Sequence, residues 1–211
     1  MKLHNYFRSS ASWRVRIGLA LKGLDADYVS IHLQKNEQFA GRFAQQQASH
    51  LVPALELDDG QWLSQSTAIL EYLDETHPEP PLLPRGAVAR AQVRALAMDI
   101  ACDIHPINNL RVLRYLKSDM GHEQAQIDTW YRHWVATGLA IVEQRLLHTA
   151  GAFCFGDAPG LADCLLVPQV YNAQRFECPL EAYPTILRIN AACLAVPAFA
   201  NTRPEACPDA G

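Results

Sequence analysis

The chain lacks any apolar run long enough to cross a bilayer, and its first residues, Met1-Lys2-Leu3-His4-Asn5-Tyr6, hold no apolar signal core. These absences predict a soluble, cytoplasmic protein with no membrane among its partners. It also lacks basic excess. The formal net charge is −4, from 18 Lys and Arg against 22 Asp and Glu, which argues against a general binder of nucleic acid. Any attraction for anions must therefore be local. The six cysteines include no C-x-x-C, the eight histidines no H-E-x-x-H, and no phosphate-binding glycine loop occurs. Cys102 and His105 are helically spaced, but a metal there would need two further ligands, and no metal is expected. Several cysteines sit in apolar runs, as Cys164 does in Ala162-Asp163-Cys164-Leu165-Leu166-Val167, and read as buried free thiols of a reducing compartment.

What is present is a chain able to build a core. With 211 residues, 49% hydrophobic and 19% charged, it suits one large domain or two modest ones and excludes disorder. Over the first part, strand-like and helix-like stretches alternate: a strand at 3–7, a helix at 12–22 closed by Gly23, a strand at 28–33 and a shorter helix at 38–45. Strands at 55–57 and 61–63 flank the hairpin signal Asp58-Asp59-Gly60, and Ser66 is placed to cap a last helix through Leu73. The order β-α-β-α-β-β-α, with its first two strands parallel, is a thioredoxin-like layout. His77-Pro78-Glu79-Pro80-Pro81-Leu82-Leu83-Pro84 then reads as a stiff linker, because prolines cannot continue a helix. Beyond it only helices are expected. One runs from Val93 to Leu110 with a kink at Pro106, one from Ile127 to Leu146, one from Leu161 to Tyr171 that is apolar almost all round, and one from Pro184 to Val196. The expected fold class is α/β plus all-α: a thioredoxin-like domain at 1–77, a linker at 78–86 and a helix bundle at 87–211. No internal repeat is found.

Three small sites in the first half suit one ligand. At Arg8-Ser9-Ser10-Ala11-Ser12-Trp13-Arg14-Val15-Arg16 a strand's exit becomes a helix's first turn. A helix start offers unpaired N–H groups and a positive dipole end, so hydroxyls there can steady a thiolate or carboxylate, or can simply cap the helix. At Leu51-Val52-Pro53-Ala54 a cis proline would turn Val52's N–H and C=O toward a ligand, whereas a trans proline would mark only a turn. Gln65-Ser66 is a second polar pair at a helix start. Two anion sites flanking an exposed strand edge fit a peptide-like ligand with a carboxylate and a thiol.

Ser-Ser-x-Ser-Trp-Arg-Val-Arg at Ser9 to Arg16, Val52-Pro53, Gln65-Ser66 and Asn172-Ala173-Gln174-Arg175-Phe176 resemble the zeta-class glutathione transferases, with the likeness running from Leu3 to about Phe199. The resemblance implies glutathione as cofactor and a homodimer. Ser9 and Ser10 would face the sulfur with Ala11 beside them. Val52, next to Pro53, would pair with the cysteinyl backbone, Gln65 and Ser66 would hold the γ-glutamyl end, and Gln38 would lie near the glycyl end. His105, Asn109, Leu110 and Arg111 of the helical half would line the same site, although His105 beside Pro106 also suits a carbonyl freed at the kink. The implied activity is cis–trans isomerisation of a small dicarboxylate keto acid, maleylpyruvate to fumarylpyruvate, with maleylacetoacetate as the alternative substrate. Arg8, Arg111 and Arg175 would meet the substrate carboxylates, while Arg14 and Arg16 read as exposed or packed salt-bridge partners. General glutathione conjugation, or a non-enzymatic interaction role on the same fold, are the competing functions.

Two departures from the family pattern matter. Ala11 stands where cysteine is usual, so the reacting sulfur must come from glutathione. Gly160 stands where Ser or Thr usually caps a central helix, leaving Asp163 to satisfy its first turn.

Overall fold

The structure, a computed structural model, describes residues 1–210. Alternation along short strands gives the first half its two faces. Strands β1 (Lys2–Asn5), β2 (Asp27–Ser30), β3 (Ala54–Glu56) and β4 (Trp62–Ser64) form one sheet in the order β2-β1-β3-β4. β1 and β2 are parallel, and the other pairs are antiparallel with the register His4–Ala54–Ser64. Leu3 and Leu55 point to the face covered by α1 (Ser10–Lys22) and α3 (Ser66–Thr76), where they pack with Val15, Leu19, Ile69 and Leu73. Ala54 faces the other side, with Phe43 of α2 (Gly41–Gln46), Tyr6, Phe7, Ile31 and Val52. The expected β-α-β-α-β-β-α order holds.

Helix α1 starts at Ser10 rather than Ser12. Ser9 is its N-cap and accepts from the Ser12 N–H, and Gly23 closes it at φ 64°, the left-handed conformation that glycine takes without strain. The helix is buried almost all round, including Arg14 and Arg16. Of the two alternatives the sequence left for these arginines, exposed or packed, the packed one holds. α1 is covered by α3 on one side and by α9 (Pro197–Ala200) on another, so only Ala20 of the helix stays exposed. Arg16 donates to Asn5 Oδ1, the Phe7 carbonyl and the Thr202 carbonyl, neutral oxygens rather than a carboxylate.

The chain divides into two compact units, Met1–Leu82 with Ala195–Gly211, and Leu83–Leu194. The helical unit therefore ends at Leu194 and does not run to the last residues, while its first helix begins at Ala87. Buried Lys22 donates to Asp74 Oδ1, the His77 carbonyl and the Pro80 carbonyl at 2.6, 2.7 and 2.6 Å, which holds the first half of the proline-rich seam on the first unit. The later stretch returns through Thr202, which accepts from Trp13 Nε1 at 3.0 Å.

The second unit contains α4 (Ala87–Met98), α5 (Leu110–Ser118), α6 (Gln124–Thr149), α7 (Leu161–Arg175) and α8 (Pro184–Leu194). One kinked helix was expected over 93–110. Instead α4 ends at Met98, the chain widens into a π-type turn at Asp99–Ile104, and a 3-10 turn at Pro106–Asn108 leads into α5. Pro106 lacks an N–H, and the backbone is redirected around it rather than bent in place. α7 is the central helix, buried from Leu161 through Val170. Asp163 accepts the Gly160 N–H and the Cys154 N–H, each at 2.9 Å, the role its position predicted. All six cysteines are free; five are buried and Cys102 is exposed. Among the described residues no helix is long and apolar enough to cross a membrane.

Candidate active site

The sheet register decides where the first unit's polar residues gather. β1 runs out toward Arg8 as β3 starts after Pro53, and β4 ends at Ser64 just before Gln65. The Ser9 corner, Val52-Pro53 and Gln65-Ser66 are therefore brought to one end of one sheet. The N-termini of α1 and α3 lie at that same end, where unpaired N–H groups and the dipoles favour an anion.

At the first corner Ser9 is half-buried, Ser10 is buried at the first turn of α1, and Ala11 follows half-buried. Arg8 is exposed, with its guanidinium 5.0 Å from the Phe7 ring centre. The Val52–Pro53 bond is cis, and Val52's N–H and C=O take no main-chain partner among the described residues. Gln38 is buried, its carbonyl oxygen receives His50 Nδ1 at 3.0 Å, and its side-chain Oε1 has no partner. An orphaned buried acceptor, an unpaired strand edge and two helix starts fit a ligand that brings its own N–H groups, a thiol and a carboxylate. That is the chemistry of glutathione.

At the second helix start the expectation needs correcting. Ser66 does not cap α3 but is its first residue, and the N-cap is Gln65, which makes no side-chain cap. Gln65 sits at φ 68°, ψ 114°, a conformation costly for any residue with a Cβ, and such strain is characteristic of positions held for a ligand. Ser66 is buried, and its Oγ accepts from Arg14 Nη1 at 3.2 Å. Arg14, only 2% exposed, thus places a fixed positive charge behind the α3 start. Sequence reasoning left Arg14 as an exposed or packed salt-bridge partner and not a site residue, because what covers each face of its helix has no local signature.

The remaining candidates lie on the second unit. His105 follows the π-type turn, and its Nε2 lies 3.4 Å from Asn109 Nδ2. Asn109 caps α5 by accepting the Arg111 N–H at 3.2 Å, while Leu110 and Arg111 are exposed in its first turn. Arg175 ends α7, exposed, 5.7 Å from the Phe176 ring centre.

Residues 8–76 match the family model described as glutathione S-transferase, N-terminal domain. Over 210 residues the chain is 48% identical to the probable maleylacetoacetate isomerase of Vibrio cholerae serotype O1, covering 99% of this chain and 97% of that one. A holo structure of maleyl pyruvate isomerase, described as a bacterial glutathione S-transferase of the zeta class, superposes with a TM-score of 0.96 at 45% identity over 100% of both chains. The chain belongs to the zeta-class glutathione transferases. Another solved member, the maleylacetoacetate isomerase of Anaeromyxobacter dehalogenans, has glutathione bound in its active site (TM-score 0.90, 46% identity, 100% of this chain and 97% of that one). This zeta-class chain keeps the serine-rich corner, the cis proline and the Gln-Ser pair, with Ala11 the departure that removes any protein thiol from the corner.

Proposed function

We propose that the chain is a glutathione-dependent cis–trans isomerase that converts maleylpyruvate to fumarylpyruvate. The observation that carries the reading is the convergence of two serine-bearing helix starts and the unpaired Val52 edge on one end of the sheet. Full-length relatives bearing isomerase names support it. Glutathione, when bound, supplies the thiolate that adds to one end of the maleyl double bond and leaves after the bond has rotated.

The chain's own residues make that thiolate available and hold the substrate. Ser9 and Ser10, with the first N–H groups of α1, donate toward the sulfur, and lowering a thiol pKa by about one unit takes about 1.4 kcal/mol, within reach of a helix start with hydroxyl donors. Val52 pairs with the ligand's backbone. Gln65 and Ser66, with Arg14 behind them, receive the γ-glutamyl carboxylate, and Gln38 serves the glycyl end. His105, Asn109, Leu110 and Arg111 are assigned to the same ligand by likeness to the family. Arg8, Arg111 and Arg175 are assigned to the keto acid's two carboxylates, which guanidinium matches with paired donors. Holding both ends of the substrate lets the middle turn without a strong general base. The active form is proposed to be a homodimer, and the free thiols suit the reducing cytoplasm.

The test is loss of maleylpyruvate absorbance with and without glutathione, coupled to a hydrolase specific for the fumaryl product, with maleylacetoacetate in parallel. Rapid, glutathione-dependent formation of the trans product supports the reading and ranks the two substrates. Glutathione binding without turnover of either acid makes general conjugation the function, and no glutathione binding removes the enzyme reading. Arg175→Ala is expected to raise the keto-acid KM about tenfold, roughly the 1.4 kcal/mol of one charge-assisted contact, with glutathione Kd unchanged. Equal loss of both would remove Arg175 from the substrate's side.

A further inference from the structure

The main chain between β1 and α1 is held largely by side chains. Ser9 N–H closes a turn on the Tyr6 carbonyl at 2.9 Å, but Phe7 takes no ladder partner. Its N–H donates to Asp209 Oδ2 at 3.3 Å, and its carbonyl accepts from Arg16 Nη2 at 3.0 Å. The same Asp209 carboxylate accepts from Ser30 Oγ at 2.8 Å and from the Tyr28 hydroxyl, both on β2. Arg16 also reaches Asn5 Oδ1 at 2.9 Å and the Thr202 carbonyl at 3.1 Å. Both holds on Phe7 therefore lead to the returning stretch at 202–209.

Charge explains why a carboxylate stands there. Arg16 is only 7% exposed, and an uncompensated buried guanidinium is costly. Burial pulls its pKa below the ordinary value, while Cys207, Tyr28 and Asp209 act in the opposite direction. A neutral side chain at 209 could accept the Phe7 N–H but would not offset that cation.

We infer that Asp209 is a positioning residue for the reaction: by tying the Phe7 N–H to β2 it fixes the main chain that presents Arg8, Ser9 and Ser10, and so sets how well this corner stabilises the glutathione thiolate. The inference rests on the assignment of Ser9 and Ser10 to the sulfur. It adds a contact from the far end of the sequence to a corner that otherwise belongs to the first turn of α1.

The experiment uses the full chain and four variants: Asp209→Ala, Asp209→Asn, Ser9→Ala and the Ser9→Ala/Asp209→Ala double. Isomerisation kinetics, ultraviolet titration of the bound glutathione thiolate and Tm are measured for each. Asp209→Ala is expected to lower kcat about tenfold with keto-acid KM within about twofold, and to raise the thiolate pKa. Asp209→Asn, which keeps one acceptor for the Phe7 N–H, should recover part of the loss. In the Ser9→Ala background, Asp209→Ala should cost no more than about twofold further, because its effect passes through Ser9. Full multiplication of the two losses would overturn the inference. So would a lowered Tm with an unmoved thiolate titration, or kcat and titration both unchanged in Asp209→Ala while Ser9→Ala is impaired. If Ser9→Ala itself behaves as the parent, the sulfur assignment falls and the inference with it.

Discussion

In the proposed function, Ser66 draws its role from what stands behind it. Its hydroxyl lies at the start of α3, where the backbone N–H groups already favour an anion, and Arg14 donates to its oxygen from below. That hydrogen bond directs the hydroxyl proton outward, toward a carboxylate. Lysine at position 14 would keep the charge but lose the planar fork that reaches Ser66. Arg14→Lys is therefore expected to raise the glutathione Kd about fivefold, the scale of a charge-assisted hydrogen bond weakened rather than removed, read by calorimetric titration. Ser66→Ala should raise it by a similar factor, and the double variant by little more than either single one. Simple multiplication of the two effects would show that Arg14 and Ser66 act separately. The polar pair Gln65-Ser66 was legible in the sequence because residue type and position agree. The conformation of Gln65 was not, since a φ of 68° at glutamine follows from tertiary context that no local propensity records.

At the level of elements, helix α1 shows where periodicity informs and where it misleads. Trp13 and Ile17 are buried as their spacing requires, and Gly23 ends the helix where the sequence placed its stop. The same periodicity left Arg14 and Arg16 either exposed or packed, and the returning α9 and the strand ends make them packed. A long-range return has no local signature. At Gly18 helix α1 meets α3 closely: a Cβ there would lie 2.1 Å from Leu70 Cδ2, and Leu70 is wholly buried. Gly18→Ala gains helix propensity but overpacks this contact, and a net loss of roughly 1–3 kcal/mol is expected. Chemical denaturation should show a lower midpoint with an unchanged slope, and Gly18→Ala should cost less in a Leu70→Ala background than in the parent. An unchanged midpoint in Gly18→Ala would mean that the two helices separate freely. The stretch after α4 was misread for a different reason. Val93 to Leu110 keeps a helical spacing of apolar residues through the π-type turn and the 3-10 turn, so the hydrophobic pattern continues after the hydrogen-bond pattern has changed.

On the scale of the whole molecule, acid stability turns on a group that the functional reading does not use. His4 lies on the sheet face opposite α1, stacked on Trp62 with ring centres 4.2 Å apart, and its Nε2 meets Glu56 Oε2 at 3.0 Å. Glu56 also contacts Arg42 at 3.0 Å and Lys2 at 3.7 Å, and Phe43 borders the His4 ring. Burial holds the His4 pKa below its usual 6.5 despite the carboxylate beside it. The hydrogen bond from His4, with Arg42 and Lys2, holds Glu56 below its usual 4.5 against a smaller opposing effect of burial. Both depressions act in the same direction. As pH falls below 6.5 the unfolded chain takes up a proton at residue 4 before the folded chain does, so stability declines until the folded His4 value is reached. A second decline begins near 4.5, where the unfolded Glu56 protonates first, and continues down through the folded Glu56 value. His4→Gln removes the first window and, by taking away the imidazole hydrogen bond that lowers Glu56 most, narrows the second. Thermal unfolding from pH 8 to 4, the parent against His4→Gln, should therefore give Tm curves whose difference is flat above about pH 7 and changes below it in the variant's favour. Curves that stay parallel across that range would show that His4 titrates alike in the folded and unfolded chain, and that its stacking on Trp62 does not keep it neutral.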